Sequence, residues 1–226
     1  MSTAPVIAID GPAASGKGTV AKRLSEALGY HYLESGALYR LVALASRNQG
    51  VDENDEAGLA QVASGLDVRF EGEKILLSGQ DVADDLRVEA IGNRASAVAR
   101  FGAVRAALLE RQRAFRTAPG LVCEGRDMGT VVFPDATLKV FYVASVAVRA
   151  ERRHKQLKDK GIDANLSALS RDLAERDERD ASRSVAPLVP AADAIQLDSS
   201  ALSVEEVVAL ILRWYREKSV GVQPAG

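Results

Sequence analysis

Gly11-Pro12-Ala13-Ala14-Ser15-Gly16-Lys17-Gly18-Thr19 puts glycines, a lysine and hydroxyls into one short stretch, the chemistry of a polyphosphate cradle. Glycines let the backbone approach an anion, successive N–H groups point inward, and the lysine adds a charge for β- and γ-phosphates. A second cluster, Glu124-Gly125-Arg126-Asp127-Met128-Gly129-Thr130, combines two carboxylates with a guanidinium. It suits metal-bound water or a ligand amine. In a third, Arg176, Asp180 and Arg183 are spaced by four and three residues, so they share one helical face, with Arg179 beside them. Each cluster has a plainer alternative: a tight turn with an exposed lysine, an unliganded acidic turn, and a solvated ladder of ion pairs.

The flanking elements must position these groups. Val6-Ile7-Ala8-Ile9 is a short β-forming run, and Val20, Leu24, Ala27 and Leu28 mark one face of a helix that ends at Gly29. Strand, glycine loop and helix is the setting that turns a glycine pattern into a phosphate site. Gly18 stands where Ser or Thr usually follows the lysine to ligate magnesium, and the hydroxyl comes one residue later at Thr19. Tyr30–Leu33 reads as a second strand, followed by Glu34-Ser35-Gly36 and a helix whose inner face carries Leu38, Leu41, Val42 and Ala45. Ligands gather at the carboxyl ends of strands in an open parallel sheet, which draws Ser35 and Arg40 toward the loop. His31 is expected packed or at the surface, and Tyr39 in the core or at a rim. Leu121–Glu124, Leu138–Val143 and Ala194–Leu197 complete five expected strands. The third cluster sits on a helix from Leu166 to about Arg183 that Pro187 and Pro190 break off, and Ser203 with Glu206 forms a capping box for the last helix.

Between these lie inserted segments. Asp55-Glu56-Ala57-Gly58 matches a GTPase pattern by letters, but it follows no strand and reads as chance; a short helix is expected over Glu56 to Ala63. Leu66–Phe70 alternates, Glu71-Gly72-Glu73 turns, and Lys74–Leu77 returns, which predicts an antiparallel hairpin separate from the main sheet, with a short strand near Ser78–Val82. Helices are expected near Val88–Arg100 and Val104–Arg116; the arginines at 105, 111, 113 and 116 read mostly as a solvated face. From Val148 a charged helix carries Arg149, Arg152, Arg153 and His154, and runs into a polar stretch suited to a lid, with His154 at the surface.

Composition bounds the rest. The 226 residues are 47% apolar and 27% charged, enough for one large α/β domain or one with inserted lobes. Cys123 is the only cysteine, which excludes an intrachain disulfide and a cysteine-rich metal site and predicts a small buried side chain. A net charge of −2 argues against a nucleic-acid polymer or a membrane as partner. No run approaches the ~20 apolar residues of a membrane span, and Met1–Pro5 resembles no signal segment, so a cytoplasmic location is expected. The residues from Val220 to Gly226 read as a disordered tail.

Taken together, Gly11-Pro12 through Thr19, Ser35-Gly36 through Tyr39-Arg40, Gly125-Arg126-Asp127-Met128-Gly129-Thr130 with Val131-Val132-Phe133-Pro134, and Arg176-Asp177 through Arg179-Asp180 to Arg183 resemble the bacterial cytidylate kinases. The likeness runs from Val6 to about Tyr215. It implies an α/β P-loop kinase fold with a five-stranded parallel sheet flanked by helices, an inserted antiparallel β lobe and a helical lid. The implied parts are a core of about 1–34, 99–148 and 172–219, a nucleotide-acceptor lobe of about 35–98 and a lid of about 149–171. The implied reaction moves a phosphoryl group from ATP to CMP or dCMP with Mg²⁺. By similarity, Ser35, Ser96, Arg105 and Asp127 read the cytosine, Arg40, Arg126 and Arg183 hold the acceptor phosphate, and Arg176 and Asp180 meet the ribose. Residues 11–19, namely Gly11, Pro12, Ala13, Ala14, Ser15, Gly16, Lys17, Gly18 and Thr19, hold ATP. Lys17, Arg126, Arg149, Arg153 and Arg183 carry the positive charge of catalysis, with no protein metal ligand and a monomer as the expected state. The family often has Asp where this chain has Glu34, and either acid at Glu124. The alternatives are a related kinase for UMP, AMP or another metabolite, and a nucleotide switch, against which the absence of Asn-Lys-x-Asp counts.

Overall fold

The computed structural model describes residues 3–71, 74–159 and 161–220. β1 (Val6–Asp10) leads through the glycine loop into α1 (Lys17–Leu28), and β2 (His31–Glu34) runs straight into α2 (Ser35–Asn48). Next come α3 (Glu56–Ser64), the short strands β3 (Val68–Glu71), β4 (Lys74–Leu77) and β5 (Gln80–Asp81), then α4 (Glu89–Val98) and α5 (Gly102–Arg113). β6 (Leu121–Gly125) is followed by a wide helical turn at Met128–Val132 and by β7 (Leu138–Val143). α6 (Val146–Asp159), α7 (Leu166–Ala181), β8 (Ile195–Asp198) and α8 (Val204–Val220) complete the chain. It divides into two compact units: the residues up to Leu33 with those from Phe115 onward, and Glu34–Ala114.

The first unit is built on a parallel sheet in the order β2-β6-β1-β7-β8, as expected from the sequence. β1 and β6 are buried at every residue, which is why both read as continuous apolar runs rather than alternating ones. Their register pairs Ile9 with Glu124 and Asp10 with Gly125, so the two strands end together at the glycine loop and the acidic turn. Ile7, Ile9, Leu24, Val122, Val140, Val207 and Ile211 form the core beneath, and Tyr30 and Tyr215 close it with a 2.9 Å hydroxyl contact. The Ser203–Glu206 capping box is present: the Ser203 N–H donates to the Glu206 carboxylate at 2.8 Å and the Glu206 N–H to Ser203 Oγ at 3.2 Å. Cys123 is buried, and Trp214 is partly exposed.

In the second unit α2 packs on α4 and α3 on α5 around Leu38, Leu41, Leu59, Ile91 and Leu108. The hairpin is antiparallel and separate from the parallel sheet, pairing Val68 with Leu77, and β5 extends it to three strands. Gly72 and Glu73 of its expected turn lie outside the described residues, as do residues 221–226 of the expected tail. Asp55 has a local role: its carboxylate accepts the Gly58 N–H at 3.0 Å and caps α3, which accounts for the Asp-x-x-Gly letters.

The reading of the 105–116 arginines as a solvated face needs correction. Only Arg113 fits it, paired with Glu110 at the surface. Arg105 is buried, Arg111 donates to the Leu66 carbonyl at 2.8 Å, and Arg116 donates to the Ala4 carbonyl and to Asp135, each at 2.7 Å. The long guanidinium arm reaches carbonyls at segment ends while its stem covers apolar surface. Among the described residues no helix is long and apolar enough to cross a membrane.

Candidate active site

The glycine loop is held from several sides within the first unit. A Cβ on Gly11 would lie 2.4 Å from the Tyr142 carbonyl oxygen, so only glycine lets the loop leave β1 along this path. Ala14 and Gly16 take positive φ values of 56° and 93°, which turn successive N–H groups toward one side. Ser15 Oγ is buried and has no hydrogen-bond partner among the described residues. Lys17 is buried as well; its Nζ donates to the Pro12 carbonyl at 3.2 Å and stands 3.4 Å from Glu124. Burial, with the charge of Arg126, pulls the Lys17 ammonium down to about 8 against the opposing pull of Glu124. A Cβ at Gly18 would sit 3.5 Å from Glu124 Oε1, so this carboxylate borders the place where the usual loop hydroxyl would be. Thr19 is exposed.

Helix α6 braces the loop through its arginines. Arg149 is buried, donates to the Ala13 carbonyl at 3.0 Å and the Ala144 carbonyl at 2.9 Å, and pairs with Asp177. Arg152 donates to the Ser15 carbonyl at 2.8 Å and the Ser199 carbonyl at 2.6 Å. Arg153 is half-buried and donates to Gln156 at 2.8 Å. His31 lies at the surface with its ring 2.9 Å from the Ala118 carbonyl, and His154 is half-buried on α6.

The second and third sequence clusters meet. Arg126 Nε donates to Asp180 at 2.7 Å, Arg183 pairs with the same carboxylate, and Asp180 is only 1% exposed. Asp180 and Asp177 are therefore the inward members of α7, and the solvated ladder is overturned for them. Of Arg176, Arg179 and Arg183, only Arg179 is exposed. Burial works to raise the Asp180 carboxyl, but Arg126, Arg183 and Arg176 hold it below the usual carboxylate value. Burial likewise works to lower Arg126, and Asp180 more than compensates. Asp127 is buried on the turn, with its carbonyl accepting the N–H groups of Val131 at 2.9 Å and Val132 at 3.2 Å. Asp10 accepts the N–H groups of Met128 and Gly129, each at 2.8 Å, and burial pushes its carboxyl up to about 7 despite those bonds.

The remaining expected acceptor residues belong to the second unit. Ser35 opens α2 and Ser96 lies on α4, both buried. Arg40 Nη1 donates to the Leu86 carbonyl at 2.7 Å, and a Cβ on Gly92 would come within 2.9 Å of the Arg40 guanidinium, so this glycine makes room for the arginine. Arg105 donates to the Ala99 carbonyl at 3.1 Å and lies over the Tyr39 ring, 5.5 Å from its centre. Sequence reasoning missed Asp10, Asp177 and the bracing role of Arg152. Asp10 reads as one more residue of a strand, and Asp177 as one more sign in an alternating helix; only their partners set them apart.

A family model for cytidylate kinase matches residues 7–217. The chain is 61% identical over 213 residues to the cytidylate kinase of Ralstonia pickettii (strain 12J), covering 94% of this chain and 92% of that one. Against the cytidylate kinase of Bordetella bronchiseptica (strain ATCC BAA-588 / NCTC 13252 / RB50) the identity is 59%, with coverage of 94% and 96%. Among solved structures, a gluconokinase from Sinorhizobium meliloti 1021 aligns with a TM-score of 0.49 and 18% identity, covering 99% of this chain and 100% of that one. The chain belongs to the cytidylate kinase family.

Proposed function

We infer that the protein transfers the γ-phosphoryl group of ATP to CMP or dCMP, yielding ADP and CDP or dCDP. The observation that carries this reading is the buried Arg126–Asp180–Arg183 network next to Asp127, at the end of β6, the strand paired with the one that leads into the braced phosphate loop, in a chain 61% identical to a protein named cytidylate kinase. Cytosine presents an exocyclic amine next to two acceptors. Asp127 suits the amine, Arg105 and Ser96 suit the acceptors, and uracil fails the same test because its carbonyl faces the carboxylate. Ser35 is assigned to the base with them. Arg40, Arg126 and Arg183 are assigned to the acceptor phosphate, and Arg176 with Asp180 to the ribose.

The acceptor phosphate is mostly dianionic near neutrality, since its second pKa lies near ~6. Its oxygen attacks without a general base. The work of the protein is then to align acceptor and donor and to neutralise charge as it shifts from the γ-phosphoryl to the leaving oxygen. Residues 11–19 suit ATP: the loop carries inward N–H groups, the buried Ser15 hydroxyl lacks a partner among the described residues, and Lys17 is held at the loop by the Pro12 carbonyl and Glu124. Bound with ATP, Mg²⁺ would supply charge neutralisation at the phosphates, and Glu124, bordering Gly18, would hold its waters. Arg153 is assigned to the transferring group from a lid of about 149–171. Arg149, tied to the Ala13 carbonyl and Asp177, serves it indirectly by shaping the loop. The same reading takes the enzyme as a cytoplasmic monomer acting on free nucleotides.

A coupled assay with ATP and magnesium, offering CMP, dCMP, UMP, AMP and GMP in turn, tests the proposal. CMP and dCMP should exceed every other acceptor in kcat/KM by about tenfold or more, a difference of ~1.4 kcal/mol. UMP or AMP in the lead would replace this reading with that of a related kinase.

A further inference from the structure

Asp10 is a buried carboxylate that the phosphate-transfer chemistry leaves unused. It is the last residue of β1, one position before Gly11, and it is 6% exposed. Each of its oxygens accepts one backbone N–H from the turn beyond β6: Met128 N to Oδ1 and Gly129 N to Oδ2, both at 2.8 Å. These are the first two N–H groups after Asp127. The Asp127 carbonyl is occupied by the N–H groups of Val131 and Val132, so the backbone is pinned on the C-terminal side of Asp127 by two independent sets of bonds. Gly11 N donates to the Gly125 carbonyl at 3.3 Å and pins the approach to the turn. The seat is tight, because a Cβ on Gly129 would lie 3.2 Å from the Lys139 side chain and 3.5 Å from Asp10 Oδ2. A buried carboxyl group that takes one N–H at each of its two oxygens is a directional arrangement, and neither an amide nor a single hydroxyl reproduces it.

We propose that Asp10 is a positioning residue for acceptor selection: it sets the angle at which the turn presents Asp127 to the base, and ties that angle to the strand that launches the phosphate loop. The proposal rests on the reading of Asp127 as the group that accepts the cytosine amine. Its consequence is specific. Loss of the Asp10 carboxylate blurs the choice between CMP and UMP, because a displacement on the order of 1 Å at a positioned group costs about 100-fold in rate. Loss of a purely structural anchor would lower stability and leave that choice alone.

The test uses the full-length enzyme with Asp10→Asn, whose amide oxygen serves one N–H while its NH₂ opposes the other, and Asp10→Ser as a second variant that keeps one small acceptor. For each we would measure kcat/KM for CMP and UMP, Kd for ATP and the melting temperature, beside wild type and Asp127→Ala. The expected result is a fall of about tenfold or more in the CMP-to-UMP ratio, through a raised KM for CMP, while Kd for ATP moves by less than about threefold. In the Asp10→Asn/Asp127→Ala double variant the ratio should fall no further than in Asp127→Ala alone, since one residue acts through the other. A folded Asp10 variant with an unchanged ratio overturns the proposal while the Asp127 reading stands. An unchanged ratio in Asp127→Ala overturns the Asp127 reading itself and the proposal with it. If neither Asp10 variant folds, hydrogen exchange on wild type decides: protected Met128 and Gly129 amides support the anchor, and fast exchange at both rules it out.

Discussion

Replacing Asp180 by alanine should destabilise the protein severely. The carboxylate is 1% exposed and serves two guanidiniums, Arg126 at 2.7 Å and Arg183, so its loss leaves two positive groups facing each other in a site that also holds Lys17. Removing one partner of a buried ion pair costs ~3 to 5 kcal/mol, because the uncompensated charge stays buried. The Arg126 side chain is 17% exposed, and solvent can relieve part of its charge, which favours the lower half of that range. For a chain of this size, ~3 to 5 kcal/mol corresponds to a drop of roughly 6 to 20 °C in Tm. The pH dependence has a fixed sign. Burial works to raise the Asp180 carboxyl, Arg126 and Arg183 outweigh it, and the folded pKa lies below the ordinary value. Its stabilisation is therefore complete above the unfolded carboxylate pKa of ~3.9 and is lost only as pH falls through the lower folded value. Thermal melts of wild type and Asp180→Ala at several pH values check this. The gap in Tm should stay constant from pH ~8 to ~5 and close in stronger acid. A gap of under ~2 °C at neutral pH, or one that closes between pH ~7 and ~5, would refute the buried network as a charge-balanced unit.

Further outcomes follow from the same geometry. Lys17→Met should keep its circular dichroism and lose turnover on the order of 100 to 1000-fold, and retention of more than about a tenth of the rate contradicts the role of its charge. In the wild type, where burial pulls Lys17 down to about 8, kcat/KM for ATP should fall as pH rises through that value, while stability gains between there and the ordinary lysine range because the unfolded chain binds the extra proton; a flat profile argues against a buried, titrating lysine. Gly92→Ala should raise KM for CMP by about tenfold with little change in Tm or in KM for ATP, since the new methyl meets the flexible end of Arg40 at 2.9 Å and not backbone. Gly11→Ala should instead lower stability by ~1 to 3 kcal/mol and impair ATP binding, because its methyl would meet the Tyr142 carbonyl at 2.4 Å and force the loop aside; an unchanged melting temperature would show that the loop has another path.

Much of this architecture is legible in the chain because local signals agree. The β1 and β6 runs are apolar throughout, as strands buried on both faces must be, and Gly29 with φ 64° ends α1 where the helical face stops. The hairpin announces itself by alternation, and the Ser203–Glu206 box by spacing. What resists reading is which polar groups turn inward. Arg176 to Arg183 alternates in sign as a surface helix does, and only the pairing of Asp180 with Arg126, 54 residues away in sequence, makes it a buried site. Asp10 is hidden for the same reason, with partners 118 and 119 residues away. Arg111 and Arg116 look solvated by composition, yet each finds a backbone carbonyl, which sequence spacing does not encode. Local pattern sets the elements, while long-range hydrogen bonding sets the site.

Whether Asp127 reads the acceptor base is tested most directly by kcat/KM for CMP and UMP on wild type and Asp127→Ala. Losing a buried charged partner costs ~2 to 5 kcal/mol, so CMP efficiency should fall about 30-fold or more. UMP should lose less, because its carbonyl is freed from the opposing carboxylate, and the CMP-to-UMP ratio must drop. Kd for ATP should stay near wild type. An undiminished ratio, with the variant folded, would mean that Asp127 serves structure or metal and that the cytosine is recognised elsewhere.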